Sequence, residues 1–390
     1  MTTYLDHAAT TPPRPAARAA LQRWLDVANP SSTHLPGQAA RVAVEQARDQ
    51  VASALGCSPH EVVFTAGATE ADNLAVKGIV WAANQHRPGG RPHLVTTAVE
   101  HPAVLDPARW LAERGEATLS IVPAGADGRV DPEAVLAAVR ADTVLVSVMA
   151  ANNELGAVND VPAIAAALAE REVAVHTDAV QAVLTREVDV GDWGVDALAL
   201  SAHKLGGPAG VGVAVLRRGL PVVPLLHGGG QDRGVRSGTL AAGLDAACGV
   251  ALEQTVAERS VLTPRLRDLS DRLAAGLLAL DGVQRNGPAD PTARLVTHLH
   301  VSIDGVDADA LAVALDRAGL AASSGSACGS GAAASSHVLA SIGARGTPLR
   351  LSLGWPSMDQ DVDRALQVLG EVIPRLRRGV VRPATVRVEH

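Results

Sequence analysis

The sequence predicts an α/β fold: a mostly parallel sheet with helices on both faces, joined to a smaller α+β domain. Three observations carry this. Short apolar runs alternate with Ala-rich helical stretches as far as Leu216, the pattern of strand–helix–strand units. The texture changes near Val256, where a Leu/Arg-rich stretch begins. Finally, 390 residues with 47% hydrophobic content are enough for a large core and too many for one ordinary domain.

In chain order, apolar runs at 61–64, 94–97, 143–149, 173–176, 197–201 and 212–216 read as strands, and stretches 38–55, 131–140 and 161–171 as helices. A long helix over 264–280 and a Gly/Pro/Asp turn region at 286–291 follow. A β-α-β-like pattern at 297–303, 308–318 and 349–353 closes the chain. The expected division is a large domain over 15–255 and a small domain from 1–14 and 256–390. No internal repeat is visible.

Composition excludes several classes. A net charge of −7 repels a phosphate backbone, so no direct nucleic-acid binding is expected. No run reaches the roughly 18 apolar residues of a membrane span, and the N-terminal residues do not read as a signal peptide. Cys57, Cys248 and Cys328 are the only cysteines. So sparse and odd a set argues against a disulfide framework and for a reducing, cytoplasmic setting. No metal site is expected. Lysine occurs only at Lys77 and Lys204, the other basic residues being arginine, so chemistry that requires an amine has two candidates.

Several motifs sit at predicted strand ends, where ligands bind in doubly wound sheets. The small residues of Ala66-Gly67-Ala68-Thr69-Glu70 precede a helix. They suit an anion at a helix N-terminus, or an ordinary capped turn. His101 follows the strand at 94–97 and can stack on a ring or shuttle protons, or be a loop histidine. Asn152-Asn153-Glu154 brings amides and a carboxylate to a strand end, or forms a plain turn. Asp178 follows the strand at 173–176 with Gln181 three residues on. It can pair a protonated ring nitrogen, or cap the next helix. Lys204 lies in Ser201-Ala202-His203-Lys204 before a Gly-rich turn. Its amine can form a Schiff base, with Ser201 and His203 placed for a phosphate. Lys77 falls in a predicted helix and reads as solvated.

The glycine-dense stretch ending at Arg236-Ser237-Gly238-Thr239 is a second anion loop or a connector. Ser323-Ser324-Gly325-Ser326-Ala327-Cys328 holds a cysteine among small residues, an accessible thiol or a linker with an incidental one. Cys57 and Cys248 fall in predicted helical contexts and read as packing. Arg350 stands alone in an apolar strand. It clamps an anion or points outward from an edge.

In order and spacing these segments resemble one family over nearly the whole chain, the cysteine desulfurases of the fold-type-I, aminotransferase-like pyridoxal-phosphate enzymes. Tyr4-Leu5-Asp6-His7-Ala8-Ala9-Thr10 and Asn29-Pro30-Ser31-Ser32 belong to the same match. The serine-rich cysteine loop is similar to that of the subgroup with a long mobile loop. The resemblance implies pyridoxal 5'-phosphate on Lys204, His101 stacked on its ring, Asp178 on the ring nitrogen and Gln181 on the 3-hydroxyl. It implies that Ala68, Thr69, Ser201 and His203 surround the phosphate, with Thr239 supplied by the other subunit of a homodimer. Asn153 and Arg350 would grip the carboxylate of L-cysteine. Cys328 would take the sulfur as a persulfide, for an acceptor such as an iron–sulfur scaffold or a tRNA-thiolating enzyme.

Ala66, Gly329, the short stretch 343–348 and Trp355-Pro356 depart from the family pattern. A selenocysteine lyase or an aminotransferase is the rival on the same fold, and a catalytically silent sulfur-protein scaffold is the rival outside it. A nicotinamide dehydrogenase lacks its G-x-G-x-x-G after a first strand.

Overall fold

The computed structural model describes residues 2–86, 89–323 and 336–379. The chain begins with strand β1 (Thr3–Tyr4), helix α1 (Pro15–Arg23) and helix α2 (Leu35–Leu55). There follow β2 (Val62–Thr65), α3 (Ala68–His86), β3 (His93–Thr97), α4 (Pro102–Glu113), β4 (Thr118–Val122), α5 (Pro132–Ala138) and β5 (Thr143–Ser147). Next come α6 (Val161–Leu168), β6 (Ala174–Asp178), α7 (Val190–Trp193), β7 (Ala197–Ser201), β8 (Gly212–Leu216) and the long α8 (Ala242–Leu278). The chain continues through β9 (Val283–Asn286), β10 (His298–Ile303), α9 (Ala308–Arg317), β11 (Leu320–Ala321), α10 (His337–Ser341), β12 (Thr347–Ser352) and α11 (Asp359–Gly379).

The main sheet has seven strands in the order β2-β8-β7-β6-β5-β3-β4. Only β8 runs antiparallel to its neighbours. Burial in its strands does not alternate, because helices cover both faces: every residue of β2, β3, β7 and β8 is buried. The edge strand β4 is mostly half-exposed. The second sheet is antiparallel, in the order β12-β10-β9, where the sequence reads as a β-α-β pattern. Strand β1 pairs in parallel with β11, and Asp6 bridges to Ser352. The N-terminal segment is thereby stitched to the smaller unit.

Local chemistry sets the helices. α2 starts where the His34 side chain accepts from the Gly37 N–H and stops at left-handed Gly56, φ 62°, a position glycine occupies without Cβ strain. Its buried stripe Ala40, Val44, Ala47, Val51 and Leu55 has helical spacing. α8 buries Ala247 and Ala251 beside Ala17 of α1. Its later turns carry Leu262, Leu266, Leu269, Leu273 and Leu277 into the main core, each worth about 1.5–3 kcal/mol when fully buried. The helix passes without a break through Thr255 and Val256, where the sequence texture changes. Among the described residues no helix is long and apolar enough to cross a membrane.

Candidate active site

The C-terminal ends of β2, β3, β5, β6 and β7 converge on one cavity of about 780 Å³, lined among others by Ala68, Thr69, His101, Asn153, Asp178, Gln181, Ser201, His203 and Lys204. That volume suits a cofactor-sized ligand. Nine residues singled out from the sequence thus meet at the ligand edge of the sheet.

One end of the cavity suits an anion. α3 begins at Ala68, and its first N–H groups and dipole favour negative charge. Gly67 has φ 157°, and a Cβ there would meet nothing nearer than Ser201 Oγ at 4.0 Å, so the backbone lies open to the cavity. A Cβ on Gly212 of β8 would sit 2.6 Å from the Gly67 carbonyl carbon. Only glycine there lets the loop close. Glu70 accepts from Ala66 N–H at 2.7 Å and pairs with Arg236 at 2.8 Å, so the glycine-rich loop is bound to the same turn. That loop is held further by Asp232, which accepts from Arg48 at 2.7 Å and from Phe64 N–H at 3.2 Å. Asp232 and Arg233 adopt positive φ, 44° and 61°. The buried ion pair fixes this strained turn, and breaking such a pair costs about 3–5 kcal/mol.

The opposite end is acidic and buried. Asp178, the last residue of β6, accepts from Val180 N–H at 2.9 Å. Burial raises its carboxyl, and the charges of His101 and Lys204 work against that. His101 Nδ1 accepts from Ala103 N–H at 3.1 Å, which places the remaining ring proton of the neutral form on Nε2. Burial lowers the His101 pKa, so that form prevails. Asp72 lines the same cavity, and among the described residues its two oxygens have no hydrogen-bond partner. Burial, then the charges of Asp178 and Glu100, hold it well above the ordinary carboxylate range. His176 Nε2 stands 3.4 Å from it, and burial drives His176 to about 3, so the imidazole brings no positive charge to the contact. Glu100, pushed by burial to about 8, accepts from Thr97 Oγ1 and Met149 N–H at 2.7 and 2.9 Å.

Across the cavity runs the N-terminal strap. Lys204 Nζ donates to the carbonyls of Ala8 and Ala9 at 2.5 and 2.6 Å. Gln181 Nε2 donates to Ala8 O at 3.1 Å, and His203 Nδ1 meets Thr10 Oγ1 at 3.1 Å. Burial, then Lys204, lowers His203 to about 4.

Three predicted residues stand apart. Arg350 is 2% exposed and reaches the site from β12 without lining the cavity; its Nη1 donates to Asn153 O at 2.9 Å and its Nη2 to Asp6 Oδ1 at 2.8 Å. Thr239 is exposed and does not line this chain's own cavity. Cys328 lies outside the described residues. The sequence motifs gave no role to Asp6, Asp72, Ser336 or His337, and marked Glu154 only as a carboxylate at a strand end. The quoted Tyr4–Thr10 motif was the only signal for Asp6 and the strap. Glu154 holds Ser336 Oγ at 2.7 and 2.8 Å, and His337 Nε2 donates to Glu100 O at 2.9 Å.

These residues fit pyridoxal phosphate. The donor set pairs an anion-binding helix end and two hydroxyls, Thr69 and Ser201, with an amine on one wall and a buried carboxyl at the far end. Among the described residues no group of His, Cys, Asp and Glu side chains is arranged to hold a metal ion.

The family model for aminotransferase class-V matches residues 3–365. The IscS-like cysteine desulfurase of Mycobacterium tuberculosis is 46% identical, over 98% of this chain and 98% of its own. The cysteine desulfurase IscS of Methanosarcina thermophila is 38% identical, over 96% and 92%. A solved NifS-like protein superposes with a TM-score of 0.88 at 32% identity, covering 96% of this chain and all of its own.

Proposed function

From the premise that this chain belongs to the aminotransferase class-V family and is a pyridoxal-phosphate-dependent cysteine desulfurase, we propose how its residues divide the work. L-cysteine is the substrate and L-alanine the product. The observation that carries the reading is that Lys204, Asp178 and the α3 N-terminus border one cavity.

Lys204 would hold the cofactor, and its Nζ would move the Cα proton. The bound cofactor would supply an electron sink. Asp178 would keep the ring nitrogen protonated, in a buried site where that charge interaction is strong. His101, with its proton on Nε2, would cover the ring, and Gln181 would serve the 3-hydroxyl. Ala68, Thr69, Ser201 and His203 would bind the phosphate. Asn153 and Arg350 orient the substrate carboxylate.

Cys328 attacks the substrate sulfur as a thiolate. The C–S bond of cysteine breaks, its electron pair leaves with the alanine carbon, and that carbon takes up a proton. The sulfur stays on Cys328 as a persulfide. The two described cysteines support this assignment: burial pushes the Cys57 thiol up to about 12 and raises the Cys248 thiol too, so neither supplies a thiolate.

The enzyme works as a homodimer in which Thr239 serves the partner's phosphate site, in keeping with its exposure here. It hands sulfur to a protein acceptor, an iron–sulfur scaffold or a tRNA-thiolating enzyme. Its setting is the cytoplasm, where Cys57 and Cys248, both free thiols, remain reduced. The test is incubation with L-cysteine, measuring alanine and sulfide together. Equal amounts in the presence of a thiol reductant are expected; cysteine consumption without alanine would reject the reading.

A further inference from the structure

We infer that Asp6 is the resident counter-ion of Arg350 and occupies its guanidinium until the substrate carboxylate displaces it. This rests on the reading of Arg350 as the carboxylate clamp.

Arg350 has little freedom. Its side chain is 3% exposed, and a guanidinium so buried requires an anion. Among the described residues Asp6 alone pairs with it, at 2.8 Å. The flanking histidines of β10 supply no charge: His298 and His300 are both lowered to about 3, by burial first and then by Arg350.

The pairing is also incomplete. Asp6 bonds through Oδ1 to Nη2, Nη1 is taken by the Asn153 carbonyl, and Nε is buried with no acceptor among the described residues. A carboxylate that took both Nη2 and Nε would gain the bidentate geometry Asp6 forgoes. The two partners differ in mobility as well. The Asp6 side chain is 21% exposed, so it can turn to water, whereas Arg350 is fixed between β10 and the strap. Asn153 lines the cavity and Arg350 does not, so a ligand in the cavity engages the arginine only by entering beside Asn153, where the Asp6 contact lies. The strap then links the two halves of the site, since two residues beyond Asp6 it begins to hold Lys204.

The test is calorimetric binding of L-alanine to the holoenzyme, with L-alaninamide as the ligand that lacks a carboxylate. Asp6→Asn removes the competing charge, and L-alanine should bind about tenfold tighter, the scale of one charge-assisted hydrogen bond. L-alaninamide affinity should stay unchanged, an outcome that general loosening of the fold would not give. Arg350→Ala separates the two readings. If it leaves L-alanine binding intact, the clamp assignment fails. If it weakens binding while Asp6→Asn weakens it too or has no effect, the counter-ion inference alone is overturned. Should Asp6→Asn not fold, the unmodified protein decides: hydrogen exchange in the peptide containing Asp6 should rise on adding L-alanine, and protection there would overturn the inference.

Discussion

Ser323 and Arg350 exchange two backbone hydrogen bonds, 3.1 Å from Ser323 N–H to the Arg350 carbonyl and 2.7 Å in return. The last described residue before the segment 324–335 is thus fixed to the strand position that carries the guanidinium. The first described residue after it, Ser336, rests on Glu154. The next, His337, donates to the Glu100 carbonyl beside His101. Both ends of the stretch containing Cys328 are therefore tied to residues of the site. The proposed part of Cys328 in the same centre as Lys204 draws on these two anchors.

Lys204→Ala should abolish the yellow colour of the lysine-bound cofactor and reduce turnover by at least about a thousandfold, the scale of losing a covalent and proton-moving group. The cavity walls remain, so cofactor should still bind without a covalent bond. Absorbance after gel filtration and reduction with borohydride would check this. Normal alanine production by Lys204→Ala would reject the assignment.

A homodimer with shared sites is expected from Thr239, exposed on a loop held by the Arg48–Asp232 and Arg236–Glu70 pairs. Sedimentation at assay concentration should give twice the chain mass. Thr239→Ala should weaken cofactor retention about tenfold, one hydrogen bond to a charged group, without changing the assembly. A fully active monomer would contradict the shared site.

Glu154 should make stability fall as pH rises. Burial lifts its carboxyl from 4.5 to about 7, against the lowering effects of Ser336 and Arg350. Below 4.5 the folded and unfolded chains both hold the proton. Between 4.5 and about 7 the unfolded chain releases it first, so folding loses free energy through that window and no further above it. Glu154→Gln imitates the protonated acid. Relative to the native protein it should be neutral near pH 4.5 and more stable by about 1–3 kcal/mol above pH 7. Urea unfolding at the two pH values tests the sign, and a gap that does not change with pH would refute it.

How legible was this in the sequence? The strands buried on both faces were readable because apolar runs such as 143–149 are what a parallel sheet covered by helices on both sides requires. β6 runs on to Asp178, beyond the apolar run that ends at His176, because its polar last residue lines the cavity. β4 alternates at a sheet edge and makes no continuous run. Pro264 looked like a helix start, as proline often is, yet it lies inside α8. The residues lining the cavity were legible because each sits at a strand end. Asp6 was not, since its partner Arg350 lies 344 positions away and no local pattern encodes such a contact. Asp72 likewise reads as one more polar residue of a helix until the fold places it in the lining of the cavity.

Cys328→Ser should separate the two halves of the reaction. The residues proposed to receive cofactor and substrate come from the main sheet and β12, so the variant should bind both with affinities within about twofold of the native protein. Serine is a far weaker nucleophile toward sulfur than a thiolate, so alanine release should fall by at least about a hundredfold. Cys248 is 1% exposed in α8, and its raised thiol pKa denies it the same part. Cys248→Ser should therefore cost stability through a buried hydroxyl, about 1–3 kcal/mol, and leave the rate alone. Cys57→Ser, at a half-buried site, should do neither appreciably. A cysteine pulse followed by alkylation and peptide mass spectrometry locates the sulfur directly. The added mass, about 32 daltons on the thiol oxidation and persulfidation ladder, should appear on the peptide containing Cys328. Its appearance on the Cys57 or Cys248 peptide would overturn the nucleophile assignment while leaving the cofactor site standing, because the contacts of Lys204, Asp178 and His101 do not depend on which thiol accepts the sulfur.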